Sequence, residues 1–200
     1  MKYILYLHGF HSSPNSQKAL IFKKLINENF DGIEVLAPQL AVIPDDAVGQ
    51  LNKIMKTYGD DVIGIVGSSL GGFLATYLHN KFKKPIVVVN PAVKPFELLH
   101  EYLGEQVQPI TGEKYCLTEQ HMKQLESLYQ QELYQAESIW LLQQEKDEVL
   151  DYKQAMERYK NCKITFELGG CHGFDEFERF PKKIADFFCN NSAIKQCKLN

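Results

Sequence analysis

The chain has 200 residues, 44% of them hydrophobic and 24% charged, with a formal net charge of −3. That balance fits one soluble globular domain with a sizeable core, and the acidic net charge and scattered lysines give no electrostatic reason to expect nucleic acid. No stretch approaches the roughly 20 apolar residues of a membrane span, the opening is too short for a secretory signal before His8-Gly9, and five cysteines without a Cys-x-x-Cys pair argue against a disulfide framework or structural zinc, so a cytoplasmic setting with reduced thiols is expected.

In chain order, residues 3–7 form a short apolar run, followed by a Gly/Ser/Pro/Asn loop over 9–15 and an amphipathic helix over about 16–28. Residues 33–37 read as a second strand, 45–58 as a second helix, 62–66 as a third strand and 70–82 as a third helix, and Pro85 introduces a fourth apolar run over 86–89. This alternation predicts a parallel sheet covered by helices on both faces, with ligands bound beyond the carboxyl ends of the strands. After Asn90-Pro91 the pattern changes: 95–103 and 119–134 look helical around a polar loop, so residues 91–137 are expected to be a small helical insertion without strands. Strand character returns over 138–142 and 163–168, with helices over about 152–160 and 174–188. The expectation is one α/β domain of about six strands, residues 1–190, followed by a polar tail, 191–200.

The third strand runs Val-Ile-Gly-Ile-Val into Gly67-Ser68-Ser69-Leu70-Gly71 and then turns helical. This is the Gly-x-Ser-x-Gly nucleophile elbow, in which a sharp strand-to-helix turn leaves no room for a Cβ two positions either side of the serine. An ordinary glycine-rich turn is the bland alternative, but the branched strand before it and helical spacing after it favour the elbow. Ser68 is the weaker candidate, because glycines would then be required where Val66 and Leu70 stand.

A serine hydroxyl is a poor nucleophile at neutral pH and needs a base, which in turn needs a carboxylate to hold its tautomer. On an elbow-bearing sheet the chain order is serine, acid, histidine. His8 and His11 precede the serine, His79 lies mid-helix, and His100 and His121 fall in the insertion. That leaves His172, in the glycine-rich run Gly169-Gly170-Cys171-His172-Gly173 after the last strand. The acid should follow the strand over 138–142, and Asp147 is preferred because Val149-Leu150 would pack down and anchor its loop. Asp151 stands where the next helix needs its N-cap; it and Glu145 remain alternatives. The oxyanion donors are expected to be the backbone N–H groups of Leu70 and, from the first βα loop, Phe10, with Gly9 permitting close approach; His8 is expected to order that loop. The implied reaction is acyl transfer to water, with no metal or organic cofactor.

The runs Leu7-His8-Gly9-Phe10-His11-Ser12-Ser13-Pro14, Gly67-Ser68-Ser69-Leu70-Gly71-Gly72, Asn90-Pro91-Ala92-Val93-Lys94-Pro95-Phe96, Ile139-Trp140-Leu141-Leu142-Gln143-Gln144 and Asp147-Glu148-Val149-Leu150-Asp151 resemble the YqiA-type bacterial esterases over about residues 3–188. The family's Gly-Gly-x-His element matches Gly169-Gly170-Cys171-His172, with Cys171 departing from its asparagine. The resemblance implies a small α/β-hydrolase acting on acyl esters through Ser69, Asp147 and His172. Two alternatives accompany it. A thioesterase acting on acyl-CoA would use the same triad, and a non-catalytic hydrolase-fold binding protein is disfavoured because no triad residue is missing. The apolar insertion residues Phe96, Leu98, Leu99, Tyr102 and Leu103 could line an acyl pocket or simply pack in the core, and a short-to-medium acyl preference is expected.

Overall fold

Along β1 (Lys2–Leu7), Ile4 and Tyr6 enter one apolar cluster while Leu5 and Leu7 enter another. Side chains alternate across a strand, so this run is buried on both faces. The same division holds in β4 (Ile86–Pro91), where Val87 and Val89 face one cluster and Ile86 and Val88 the other. Helices must therefore cover both sides. In the computed structural model, which describes residues 1–191, they do.

The chain runs β1, α1 (Gln17–Asn29), β2 (Ile33–Leu36), α2 (Pro44–Tyr58), β3 (Val62–Ser69), α3 (Leu70–Phe82) and β4. After an insertion it resumes with β7 (Ile139–Gln144), α6 (Tyr152–Arg158), β8 (Lys163–Glu167) and α7 (Pro181–Asn191). The sheet is parallel, in the order β2-β1-β3-β4-β7-β8. On one face α1 and α7 bury Phe22, Ile26, Ile184 and Phe188; on the other, α2, α3 and α6 bury Leu51, Leu74, Leu78 and Ala155. The strand order reverses between β1 and β3, and the crevice at their carboxyl ends is where such sheets bind ligands.

Three expectations are corrected. The insertion contains α4 (Pro95–Leu98), an antiparallel hairpin of β5 (Gly104–Val107) and β6 (Lys114–Leu117), and α5 (Glu119–Leu128). The hairpin escaped the sequence because its strands are only four residues long and half exposed, with Leu117 alone buried among them; Gln108, 2% exposed, braces its turn by accepting from the Ile110 and Thr111 N–H groups. Second, α5 stops at Leu128 instead of reaching 134. Side chains of other elements satisfy the following backbone: Asn80 with Glu132 and Tyr134, His79 with the Tyr134 carbonyl, and Arg158 with the Gln130 and Gln131 carbonyls. Third, the last helix does not begin near 174. Phe174 and Glu176 adopt positive φ, a 3₁₀ turn spans Phe177–Arg179, and Pro181, which has no N–H to donate backwards, opens α7. Residues 190 and 191 close α7; the rest of the expected tail, 192–200, lies outside the described residues.

Candidate active site

β3 ends on Ser69, whose φ of 55° and ψ of −122° make it a strained residue at a sharp turn. The flanking glycines explain how the chain tolerates it. A Cβ on Gly67 would lie 2.2 Å from the Gly71 carbonyl oxygen, and one on Gly71 would lie 2.1 Å from the Leu7 oxygen. The turn is thus wedged between its own two limbs and the end of β1. From β1, Gly9 approaches so closely that an added Cβ would stand 3.0 Å from Ser69 Cβ and 3.4 Å from its Oγ. The Phe10 N–H follows Gly9 directly, and the Leu70 N–H opens α3, where no intrahelical acceptor serves it.

His8 is 4% exposed; its Nδ1 bonds the Gly9 oxygen at 2.8 Å and its Nε2 accepts from the Leu40 N–H at 3.0 Å. Burial pushes its pKa down, against the Gly9 bond, which suits a neutral ring holding the loop in place. His11 stacks on Phe10 and bonds the Tyr115 hydroxyl at 2.8 Å, while Gln108 donates to the Ser12 carbonyl at 2.8 Å. The hairpin thereby ties down the first βα loop.

His172 Nδ1 lies 2.9 Å from both oxygens of Asp147, whose side chain is fully buried. Of the pair expected to anchor this loop, Leu150 packs down at 9% exposed but Val149 does not, being 57% exposed. Instead Asp147 Oδ1 accepts the Val149 and Leu150 N–H groups, both at 2.9 Å, turning the loop around the carboxylate. Asp151 caps α6 by accepting from Lys153, and Glu145 accepts from the Gly169 N–H; neither reaches His172 by a hydrogen bond. Cys171 donates its thiol to Asp175, and that bond together with burial pushes its pKa up, so the thiolate is disfavoured.

Several residues that position the histidine loop were not singled out from the sequence. Asn90, fully buried at a φ of 40°, donates to the Cys171 and His172 carbonyls and accepts from the Gln144 N–H. Gln144, at the end of β7, accepts from the Cys171 and Asp175 N–H groups. Glu148 accepts the His172 N–H at 2.8 Å, a bond that lowers its pKa. Lys18 donates to the His172 carbonyl at 3.2 Å. The visible signal was a polar residue ending an otherwise apolar strand, at Asn90 and again at Gln143-Gln144.

Two cavities adjoin the elbow. One, of about 240 Å³, is lined by Gly9, Phe10, Ser69, His172 and Lys18 among others, so Ser69 and His172 share it. The other, of about 40 Å³, lies between Phe10, Leu70, Leu74, Leu99, Leu117 and Leu125. Of the insertion residues considered for an acyl pocket, only Leu99 lines it; Phe96 and Leu103 pack against the core, and Leu98 and Tyr102 are 38% and 41% exposed, Tyr102 edge-on to Phe10.

The model of the uncharacterised protein family UPF0227 matches residues 3–189. Among solved structures, the chain is similar to Est1E from Butyrivibrio proteoclasticus with ferulic acid bound, at 17% identity and a TM-score of 0.67, covering 95% of this chain and 89% of that one. It is similar to the esterase domain of a Rhodothermus marinus protein at 14% identity and a TM-score of 0.67, covering 94% and 86%. A monoacylglycerol lipase from Paleococcus ferrophilus matches at 16% identity and a TM-score of 0.69, covering 95% of each chain. At these identities the likeness establishes the α/β-hydrolase fold.

Proposed function

The chain belongs to the uncharacterised protein family UPF0227, the YqiA family, and from that premise we propose that it is a serine carboxylesterase working through Ser69, His172 and Asp147. What most supports this is the bond from His172 Nδ1 to both Asp147 oxygens at 2.9 Å, with His172 in one cavity with a serine on a strained elbow. With Nδ1–H held by the carboxylate, Nε2 is left to take the Ser69 proton as Oγ attacks the ester carbonyl. The Phe10 and Leu70 N–H groups stabilise the oxyanion; the proton then passes to the departing alcohol, and water repeats the cycle on the acyl-enzyme. A 40 Å³ apolar cavity beside those two N–H groups, small against the 300–1,000 Å³ of common ligand pockets, suits a short-to-medium acyl group. Purified protein should hydrolyse p-nitrophenyl butyrate faster than the dodecanoate and be labelled by a fluorophosphonate, with both signals absent in Ser69→Ala. Butyryl-CoA run beside the ester decides between ester and thioester. No turnover and no labelling in the wild type would reject the reading.

A further inference from the structure

The cavity that holds Ser69 and His172 also holds one cation. Lys18, in the first turn of α1, lines it, and among the described residues no other lysine or arginine does, nor any aspartate or glutamate. Of the three N–H bonds on its ammonium, one goes to the His172 carbonyl, leaving two for a group in the cavity. Its placement is unfavourable on two counts. A cation in the first turn opposes the helix dipole, and α1 has no acidic residue there to offset it. Lys18 is also half-buried, and burial holds its ammonium well below the ordinary range, at about 8, even though Asp147 and Cys171 favour the charged form. Unfavourable local choices of this kind are characteristic of functional sites.

Position within the reaction fixes what the cation would meet. Phe10 lines both cavities; the apolar one, taken by the acyl group on the reading above, adds Leu70, whereas the other adds Lys18, which touches the loop carrying His172, the group that returns the proton to the leaving oxygen. On the esterase reading given above, we propose that Lys18 is a specificity-determining residue that binds an anionic group, carboxylate or phosphate, on the leaving alcohol of a compact ester. At about 240 Å³ the cavity has room for a small hydroxy acid or phosphoalcohol beside Lys18.

The test uses matched leaving groups: 4-(butyryloxy)benzoate, its neutral carboxamide counterpart, and 4-(butyryloxy)phenyl phosphate, each compared between wild type, Lys18→Met and Lys18→Arg. Comparing each ester with itself across the variants removes differences in leaving-group chemistry. A charge-assisted hydrogen bond in a partly desolvated site corresponds to about 10- to 100-fold. Lys18→Met should therefore lower kcat/KM for at least one anionic ester at least tenfold more than for the carboxamide, mainly through KM, and Lys18→Arg should recover much of the difference. Which anion responds identifies the carboxylate or phosphate source. Equal losses on charged and neutral esters would mean that Lys18 only holds the His172 loop, and no loss would mean that it covers surface; either overturns the proposal while leaving the esterase standing. Failure of the esterase itself looks different: no ester is turned over and Ser69 is not labelled.

Discussion

Replacing Gly9 by alanine probes how closely the first loop must approach the nucleophile. Gly9 has no positive φ, so alanine fits its backbone, and the conflict is confined to the new methyl group, 3.0 Å from Ser69 Cβ. Carbon atoms pack best at about 3.5–4.0 Å, so loop and elbow must part by about half an ångström. The elbow is held on both sides by the Gly67 and Gly71 contacts, whereas the loop is tied through side chains of His8 and His11. The loop should yield, and the Phe10 N–H moves with it. An oxyanion donor of this kind contributes about 10²–10³ in kcat when lost entirely, so a half-ångström retreat should lower kcat about 10- to 100-fold. Accommodating one extra methyl costs about 1–3 kcal/mol, a fall of a few degrees in Tm for a chain of this size. The assay is butyrate ester turnover beside thermal unfolding, with fluorophosphonate labelling to show that Ser69 stays accessible. A variant with kcat within twofold of wild type would refute the assignment of Phe10 as a donor.

Asp147→Asn should lower kcat by about 10³–10⁴, because an amide N–H facing Nδ1 selects the wrong imidazole tautomer, whereas Asp151→Asn should keep near-full activity, asparagine being as good an N-cap as aspartate; the reverse pattern would move the acid to Asp151. Lys18 gives a pH signature in stability. With its pKa at about 8 against an ordinary 10.5, the folded protein carries the amine neutral in that interval while the unfolded chain carries it protonated. Unfolding then takes up a proton, so stability rises with pH across the interval, and below pH 8 the folded state bears the whole cost of burying the charge. After allowance for solvent screening of a half-buried amine, urea unfolding of wild type against Lys18→Met should diverge by about 1–2 kcal/mol between pH 8 and 10.5. Parallel curves would contradict the burial of this charge.

What was legible in the sequence is what local chemistry dictates. Six apolar runs gave the strands, and Gly67 and Gly71 gave the elbow: a Cβ on Gly67 would collide with the turn's own backbone at Gly71, and one on Gly71 with the end of β1 at Leu7 and His8. The hairpin was illegible for another reason: Gly104–Val107 and Lys114–Leu117 pair with each other and bury only Leu117 fully, so their strand character comes from the partner more than from a pattern. Asp147 shows a third case. The structure brings it to His172, but the apolar anchoring that singled it out is absent at Val149; the loop is turned by two backbone bonds to the carboxylate itself. Of the expected apolar pair Leu150 does pack down, and the carboxylate's own bonds supply what Val149 does not.

Asn90 and Gln144 mark the boundary of such reading. Each is buried and polar at the end of an apolar strand, which sequence can flag, but their partners lie more than fifty residues away in one case and in the His172 loop in both. Backbone strain follows the same map. Of the seven non-glycine residues with positive φ among the described residues, five (His11, Ser69, Asn90, Phe174 and Glu176) stand after β1, at the end of β3, at the end of β4 and after β8, at the carboxyl edge of the sheet, whereas Lys83 and Gln135 stand before β4 and β7. Conformations of this kind cost about 1–3 kcal/mol each and persist only where neighbours over-determine them. Asn90 shows how: its own three hydrogen bonds lock β4, β7 and the His172 loop together. The edge that gathers serine, histidine and acid is therefore also where the fold concentrates its strain, and the buried amides that hold that strain set the geometry of the site as much as the residues proposed to react there.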